Sequence, residues 1–238
     1  SSNALTGDCQ ILALKAGAKL TNMEFIQFHP TGLKGSGILI SEAVRAEGGY
    51  LYNKFGERFM KKYSPDFMEL APRDVIAKAI FEEKEVFLSL KHLSPALVKT
   101  KLTGTIATAK FFGGVDVFKN DIPVFPTAHY NMGGIAVDSN YKVKGLKNAF
   151  AIGECADAKI HGANRLGCNS LLELFTSSTL ASKKIKKMLE KDLPVTGNYK
   201  INPAVVKLLL SEILKVKSRL QNIMEEKCGV VRQEKLLK

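Results

Sequence analysis

The sequence predicts an α+β protein in which helices and short strands follow one another in mixed order. Of its 238 residues, 45% are hydrophobic and 24% are charged, which is an ordinary balance for a globular chain. Apolar residues recur at helical spacing over Arg73–Glu85 and Asn169–Leu189, whereas Val86–Leu90 and Ile122–Phe125 are short apolar runs typical of strands. No run of about 18 apolar residues occurs, so no segment is predicted to span a bilayer.

The first part of the chain predicts short elements separated by Pro and Gly. Ser1–Ala4 is typical of a cleavage scar and is left out of the fold prediction. The elements that follow are an Ala/Leu-rich helix ending near Gly17, an extended segment Met23–Phe28, a strand Ile38–Ser41 and a helical turn Glu42–Arg45. Pro and Gly in His29–Gly32 predict a loop between the extended segment and the strand.

A β-hairpin is predicted next. Tyr50–Tyr52 and Arg58–Met60 flank a polar segment in which Gly56 is free to take a positive φ. The helix over Arg73–Glu85 follows, with Pro72 at its start, where a missing N–H costs little.

The second part alternates strands with helices. After the strand Val86–Leu90, the predicted elements are a helix Pro95–Leu102, strands Ile122–Phe125, Ile135–Asp138 and Ala149–Ile152, and the helix Asn169–Leu189. The apolar stripe of that last helix is expected to run through Leu172, Phe175 and Leu180. A linker over Pro194–Pro203 precedes an amphipathic helix running from Val206 to Met224.

Charge and cysteine usage limit the function classes. The net charge is +12, and much of the excess follows Lys183, on the polar sides of helical patterns. A solvated helix face explains this better than a nucleic-acid site, although a docking face for an acidic partner subunit stays open. The four cysteines form no CxxC pair, which argues against a zinc site or a disulfide framework and favours a reducing compartment.

Polar residues set among glycines and prolines are the candidates for chemistry. No GxGxxG or GxxxxGK[ST] motif occurs, so no phosphate-binding fingerprint is present. The candidates are His29, Ser41, Glu42, Arg45, Arg73, Asp74, His129, Glu154 and residues 161–165. Arginine forks and imidazoles suit an anion such as a small dicarboxylate. Each pair also has an ordinary structural explanation. Arg73 and Asp74 could equally be an ion pair that caps a helix, and Glu42 and Arg45 could be an ion pair on the surface.

Ordered motifs carry a resemblance to a known family. They are Gln27–Gly32, Ser41–Gly49, Gly56–Phe59, Arg73–Val75, His129–Gly134 and His161–Leu172. Together they resemble the flavoprotein subunit of succinate dehydrogenase and fumarate reductase, in the FAD-dependent oxidoreductase superfamily that also contains L-aspartate oxidase. The similarity runs from about Leu5 to the end of the chain.

The resemblance implies a domain plan. Most of the family's N-terminal dinucleotide-binding half is expected to be missing. Residues 5–21 would be the end of that half. Residues 22–125 would form a capping domain of mixed α/β structure, and 126–192 the returning, C-terminal part of a Rossmann-like FAD domain. Residues 193–238 would be a linker and the start of a helical domain.

The resemblance also implies a role for each site residue. Arg73 is similar to the catalytic arginine that moves the substrate proton, with Glu42 and Arg45 as its relay. His29, Ser41, His129 and Arg165 match groups that hold the two carboxylates of succinate or fumarate. Asp8, Glu154, Ser170 and Leu171 match positions that contact FAD, and no metal site is expected.

The implied activity is interconversion of succinate and fumarate by hydride transfer with FAD, as in respiratory electron transport. The implied partners are an iron–sulfur subunit and a membrane anchor subunit, which would make the protein cytoplasmic and peripheral to the inner membrane. The alternatives are an L-aspartate oxidase and, for the isolated chain, a catalytically silent fragment that binds FAD poorly. No nucleic-acid partner is expected.

Overall fold

A computed structural model describes residues 6–190 and 222–231, and it confirms the α+β class. In chain order the helices are α1 Asp8–Lys15, α2 Ala43–Ala46, α3 Met60–Tyr63, α4 Arg73–Glu83, α5 Pro95–Lys101, α6 Thr103–Gly113 and α7 Asn169–Leu189. The strands are β1 Leu20–Thr21, β2 Ile26–Leu33, β3 Tyr50–Asn53, β4 Val86–Ser89, β5 Ile122–Asn131, β6 Gly134–Ala136 and β7 Ala156–Asp157. Short 3₁₀ turns occupy Met68–Leu70 and Gly153–Cys155.

The chain divides into two compact units. The first unit contains Ile26–Tyr130, and the second contains Gly7–Phe25 together with the described residues from Asn131 onward. The domain limits implied by the resemblance, 5–21, 22–125, 126–192 and 193–238, stay predictions.

The first unit is a four-stranded sheet in the order β2-β5-β4-β3. Strands β3, β4 and β5 are antiparallel, with Leu51 opposite Leu88 and Leu88 opposite Ile122. Helix α4 buries Ile76 and Ile80 completely in the core of this unit. This packing holds Arg73, the first residue of α4, next to β2.

Local signals predicted several elements correctly. The helices near Arg73–Glu83, Pro95–Lys101 and Asn169–Leu189 and the strand near Val86–Ser89 are confirmed, and α1 ends before Gly17 as expected. The long strand β5 extends six residues beyond the predicted end at Phe125, and α6 was not predicted at all.

The predicted loop His29–Gly32 is wrong, because these residues lie inside strand β2. β2 lies at the edge of the four-stranded sheet, the kind of strand in which Pro is tolerated. Gly32 is needed for close packing, since a Cβ there would lie 2.0 Å from Thr127 Oγ1.

The predicted hairpin over residues 50–60 is also wrong. The turn itself forms, with Gly56 at φ 77° and the Asn53 N–H bonded to the Glu57 carbonyl. However, β3 pairs with β4 rather than with Arg58–Met60, and Met60 begins helix α3 with its side chain fully buried.

Two other predicted strands are reduced to single bridges. Ile38–Ser41 contributes only the bridge between Leu39 and Gly32, and Ala149–Ile152 only the bridge between Phe150 and Lys142. Both segments pack apolar side chains, such as Ile40 and Ala151, without a continuous ladder.

The second unit places α1 and α7 with a three-stranded sheet of order β1-β6-β7. The apolar stripe predicted for α7 is exposed, since Leu172 and Phe175 are 65% and 75% exposed and Leu180 is also exposed. The helix instead buries residues four apart, Glu173, Ser177 and Ala181.

The predicted helix Val206–Met224 lies mostly outside the described residues, of which 222–228 are helical. Within the described part of the chain, no helix is long and apolar enough to cross a membrane.

Candidate active site

Arg73 is held by two side chains from neighbouring segments of the first unit. Its Nε and Nη2 both donate to Glu42 Oε2, the former at 3.0 Å, and its Nη1 donates to Gln27 Oε1 at 3.1 Å. The Arg73 side chain is only 11% exposed. A guanidinium with both edges occupied in this way has its plane and direction fixed.

Glu42 lies between two guanidiniums. Its Oε1 is 3.8 Å from Nη2 of Arg45, while its Oε2 accepts from Arg73. Arg45 is 2% exposed, so the interpretation of this pair as a surface pair is wrong. Burial lowers the pKa of Arg45, and the nearby Glu42 carboxylate opposes that effect. The structure thus brings together the three residues predicted as a relay.

Two predicted substrate residues, His29 and His129, meet on adjacent strands. Their ring centroids are 5.3 Å apart, edge to face, across β2 and β5. His29 is 3% exposed, and its Nδ1 accepts from the N–H of Thr31, so the neutral ring carries its proton on Nε2 as a donor. Gln27 is two residues before His29 and therefore projects from the same face of β2.

Ser41 precedes Glu42 and is exposed. Its Oγ accepts from the N–H of Ala43, which leaves the hydroxyl proton free to donate elsewhere. The same short segment therefore carries a hydroxyl donor and the central carboxylate of the relay.

The remaining predicted residues belong to the second unit. Arg165 is 4% exposed and its Nη1 donates to the Leu166 carbonyl at 3.0 Å. Asp8 is the first residue of α1 and is exposed, and Glu154 Oε1 accepts from the N–H of Asn131 at 3.0 Å. The structure does not test the roles that the resemblance gives these residues, which stay predictions.

The start of α7 suits a flavin. Cys168 precedes the helix at φ 64° and no side chain caps its first turn, in which the N–H groups of Asn169 and Leu171 donate to the Leu166 and Cys168 carbonyls. Ser170 lies in this first turn, and Leu171 beside it is 59% exposed, offering apolar contact. The exposed Glu154 carboxylate is an acceptor for hydroxyl groups. These residues fit FAD chemically.

Sequence reasoning missed two polar residues that contact the arginines of the predicted relay. Gln27 lies in a quoted motif, and the alternation of a strand would have placed it beside His29. Glu69 had no sequence signal, yet its backbone carbonyl accepts from Arg45 Nη1. Among the described residues, no three His, Cys, Asp or Glu side chains are grouped to hold a metal ion.

The class of protein that this fold and these residues define is a flavoprotein. The chain belongs to the FAD binding domain family, whose model matches residues 1–171. The resemblance noted from the motifs is confirmed, and FAD is the cofactor of this family.

Curated relatives and solved structures agree with this assignment. The succinate dehydrogenase flavoprotein subunit of Rickettsia bellii is 42% identical over 94% of this chain and 40% of its own length. The fumarate reductase flavoprotein subunit of Escherichia coli is 37% identical over 98% of this chain and 44% of its own. A solved variant of E. coli quinol fumarate reductase FrdA superposes with a TM-score of 0.82 at 36% identity, covering 99% of this chain and 46% of that one. The chain therefore spans less than half the length of these relatives.

Proposed function

We propose that the protein carrying this chain interconverts succinate and fumarate with FAD as its redox cofactor. The observation that carries the proposal is the placement of the Glu42 carboxylate between the guanidiniums of Arg73 and Arg45. The names of the relatives, succinate dehydrogenase and fumarate reductase flavoprotein subunits, support the same reaction.

Arg73 is the proposed proton donor in fumarate reduction and the proton acceptor in succinate oxidation. A guanidinium is ordinarily a very weak acid, with a pKa above about 12. It can act only if a neighbour replaces its proton quickly, and Glu42 is hydrogen-bonded to it on two nitrogens. Arg45, whose pKa is lowered by burial and whose Nη2 lies 3.8 Å from Glu42 Oε1, is the proposed source of the proton returned to Glu42.

The histidines and the hydroxyl are proposed to hold the substrate carboxylates. His29 presents an Nε2 donor, His129 lies against it, and Ser41 has a hydroxyl proton to donate. Arg165 is proposed as a further carboxylate ligand because its guanidinium matches a carboxylate fork. Bound FAD would supply hydride transfer, and Asp8, Glu154, Ser170 and Leu171 are proposed to contact it.

The test is a redox assay on the FAD-loaded protein that carries this chain. Fumarate reduction by a reduced viologen dye and succinate oxidation by an electron-accepting dye are measured for wild type, Arg73→Lys and Lys78→Arg. Lys78 is an exposed residue of the same helix and serves as the matched control. We expect activity in wild type and Lys78→Arg and its loss in Arg73→Lys. Absence of both activities in a loaded wild type would refute the proposal.

The same preparation tests the alternatives. Peroxide formation from L-aspartate with oxygen, in place of fumarate turnover, would assign an L-aspartate oxidase. The isolated 238-residue chain is proposed to be silent, because it spans less than half of the relatives' length. Retention of FAD through desalting, with absorption bands that move on adding fumarate, would contradict that.

An iron–sulfur subunit and a membrane anchor subunit are proposed as partners, with the protein cytoplasmic and peripheral to the inner membrane. The support is that the relatives are named as flavoprotein subunits. Copurification of a tagged protein with an iron–sulfur chain from detergent-treated membranes would test this.

A further inference from the structure

We propose that the Arg58–Glu69 ion pair is the positioning element of the Arg73–Glu42–Arg45 relay, fixing the Arg45 guanidinium and its charge. This inference rests on the proposed function, which gives the relay the proton transfer. Neither residue was assigned a role from the sequence, although Arg58 lies in one of the quoted motifs.

Arg45 has few polar contacts of its own. Its Nη1 donates to the backbone carbonyl of Glu69, and its Nη2 is 3.8 Å from Glu42. Within the described part of the chain, its buried Nε and Nη2 make no hydrogen bond. The position of this guanidinium therefore depends strongly on the backbone at residue 69.

The backbone at residue 69 is fixed by its own side chain. Glu69 lies in the 3₁₀ turn Met68–Leu70 and is 3% exposed. Its Oε1 accepts from the N–H of Leu51 at 3.1 Å and from Arg58 Nε at 2.8 Å, and its Oε2 accepts from Arg58 Nη2 at 2.6 Å. A buried carboxylate with three donors is rigid, and it ties the turn to strand β3.

Arg58 connects the pair to the surface. Its side chain is 35% exposed, and its guanidinium carbon lies 3.6 Å from the centre of the Tyr50 ring. Tyr50 is in turn stacked on His92 at 3.9 Å. Aromatic stacking on one face and a carboxylate fork at the edge leave the guanidinium little freedom.

The charges alternate from the relay to the surface. The charged groups around Arg45 are Glu42 from its own segment, Arg73 from α4 and Glu69 from the 3₁₀ turn, with Arg58 beyond Glu69. Burial lowers the pKa of Arg45; the Glu42 carboxylate opposes that effect and the Glu69 carboxylate opposes it to a smaller extent. Removing that negative charge would make Arg45 release its proton at a lower pH.

The test compares Glu69→Gln, Arg58→Lys and the control Asp121→Asn in the FAD-loaded protein. Asp121 is a partly exposed carboxylate of the same unit, paired with Lys91 at 2.8 Å. For Glu69→Gln we expect kcat for fumarate reduction to fall about tenfold, with KM within about twofold. The alkaline limb of its pH–rate profile should move to lower pH. Arg58→Lys keeps the charge but loses the fork and should show a smaller fall in kcat, again with KM unchanged. Asp121→Asn should match wild type.

A second measurement does not depend on activity. The ¹³Cζ resonance of Arg45 is followed as the pH is raised within the range in which the protein stays folded, in wild type and in Glu69→Gln, and we expect its titration to begin at lower pH in the variant. If wild type fails to reduce fumarate, the proposed function fails while this titration still decides the coupling of Glu69 to Arg45. If Glu69→Gln does not fold, Arg58→Lys decides, because its side chain is partly exposed. The proposal would be overturned if the folded variants kept the wild-type kcat, the wild-type alkaline limb of the pH–rate profile and the wild-type titration of Arg45.

Discussion

Gly133 in the second unit is predicted to be intolerant of any side chain. A Cβ at this position would lie 1.9 Å from the Asn22 carbonyl oxygen and 2.8 Å from the Met23 nitrogen. Both are backbone atoms, and Asn22 directly follows β1, which pairs with β6 through Thr21 and Gly134. The clash therefore cannot be relieved by rotating a side chain. Overpacking costs about 1–3 kcal/mol, and a backbone partner places Gly133→Ala at the upper end, about 3 kcal/mol.

The assay is thermal unfolding of the 238-residue chain by calorimetry. For a chain of this size, about 3 kcal/mol corresponds to a fall in Tm of about 6–12 °C. The matched control is Gly104→Ala in helix α6, where an added Cβ meets nothing within 4 Å. Because Ala is the better helix former, that variant should be neutral or stabilised by up to about 0.5 kcal/mol. A Gly133→Ala protein whose Tm lies within about 2 °C of wild type, a loss of no more than about 1 kcal/mol, would refute the close approach of these segments.

Three further perturbations test the site and the two units. Arg73→Lys should lower kcat for fumarate reduction by at least about 100-fold in steady-state assays, since one ammonium group cannot serve both Glu42 and Gln27. Burial, with the hydrogen bond to Glu83, raises the pKa of Tyr63, so the folded state keeps a proton that the unfolded chain loses. Stability should then fall as the pH rises past about 10, and Tyr63→Phe should reduce that fall in urea titrations. Phe175→Ser should change the free energy of unfolding of the chain by less than about 0.5 kcal/mol, because the ring is 75% exposed; a loss above 2 kcal/mol, roughly that of a buried ring, would show that it is covered.

The elements that the sequence predicted well are those whose signals are local. Helix α4 begins just after Pro72 and repeats its apolar residues at helical spacing. Helix α7 also repeats apolar residues at helical spacing over its length. The prediction of a hairpin was wrong because β3 pairs with β4, which lies more than thirty residues along the chain from Tyr50. Alternation and turn residues predict a strand and a turn, but they do not identify a distant partner.

The same contrast applies to the candidate site. The motifs identified Arg73, Glu42 and Arg45 by their resemblance to a family, and the structure places them in contact. The opposite case is α7, where the apolar stripe through Phe175 is exposed and the helix instead buries Glu173. His161 bonds Glu173 at 2.8 Å, and such a buried pair cannot be recognised from hydrophobic spacing.

The sequence by itself determined the α+β class, the positions of the long helices, the family and the residue types of the relay. Those features depend on short-range spacing and on motifs that each lie within one segment. Only the tertiary structure decided that Glu42 also binds Arg73, that Gln27 holds Arg73, and that the Glu69 carbonyl accepts from Arg45. These contacts join segments far apart in the chain, and their geometry depends on how the sheet and α4 pack around a common core.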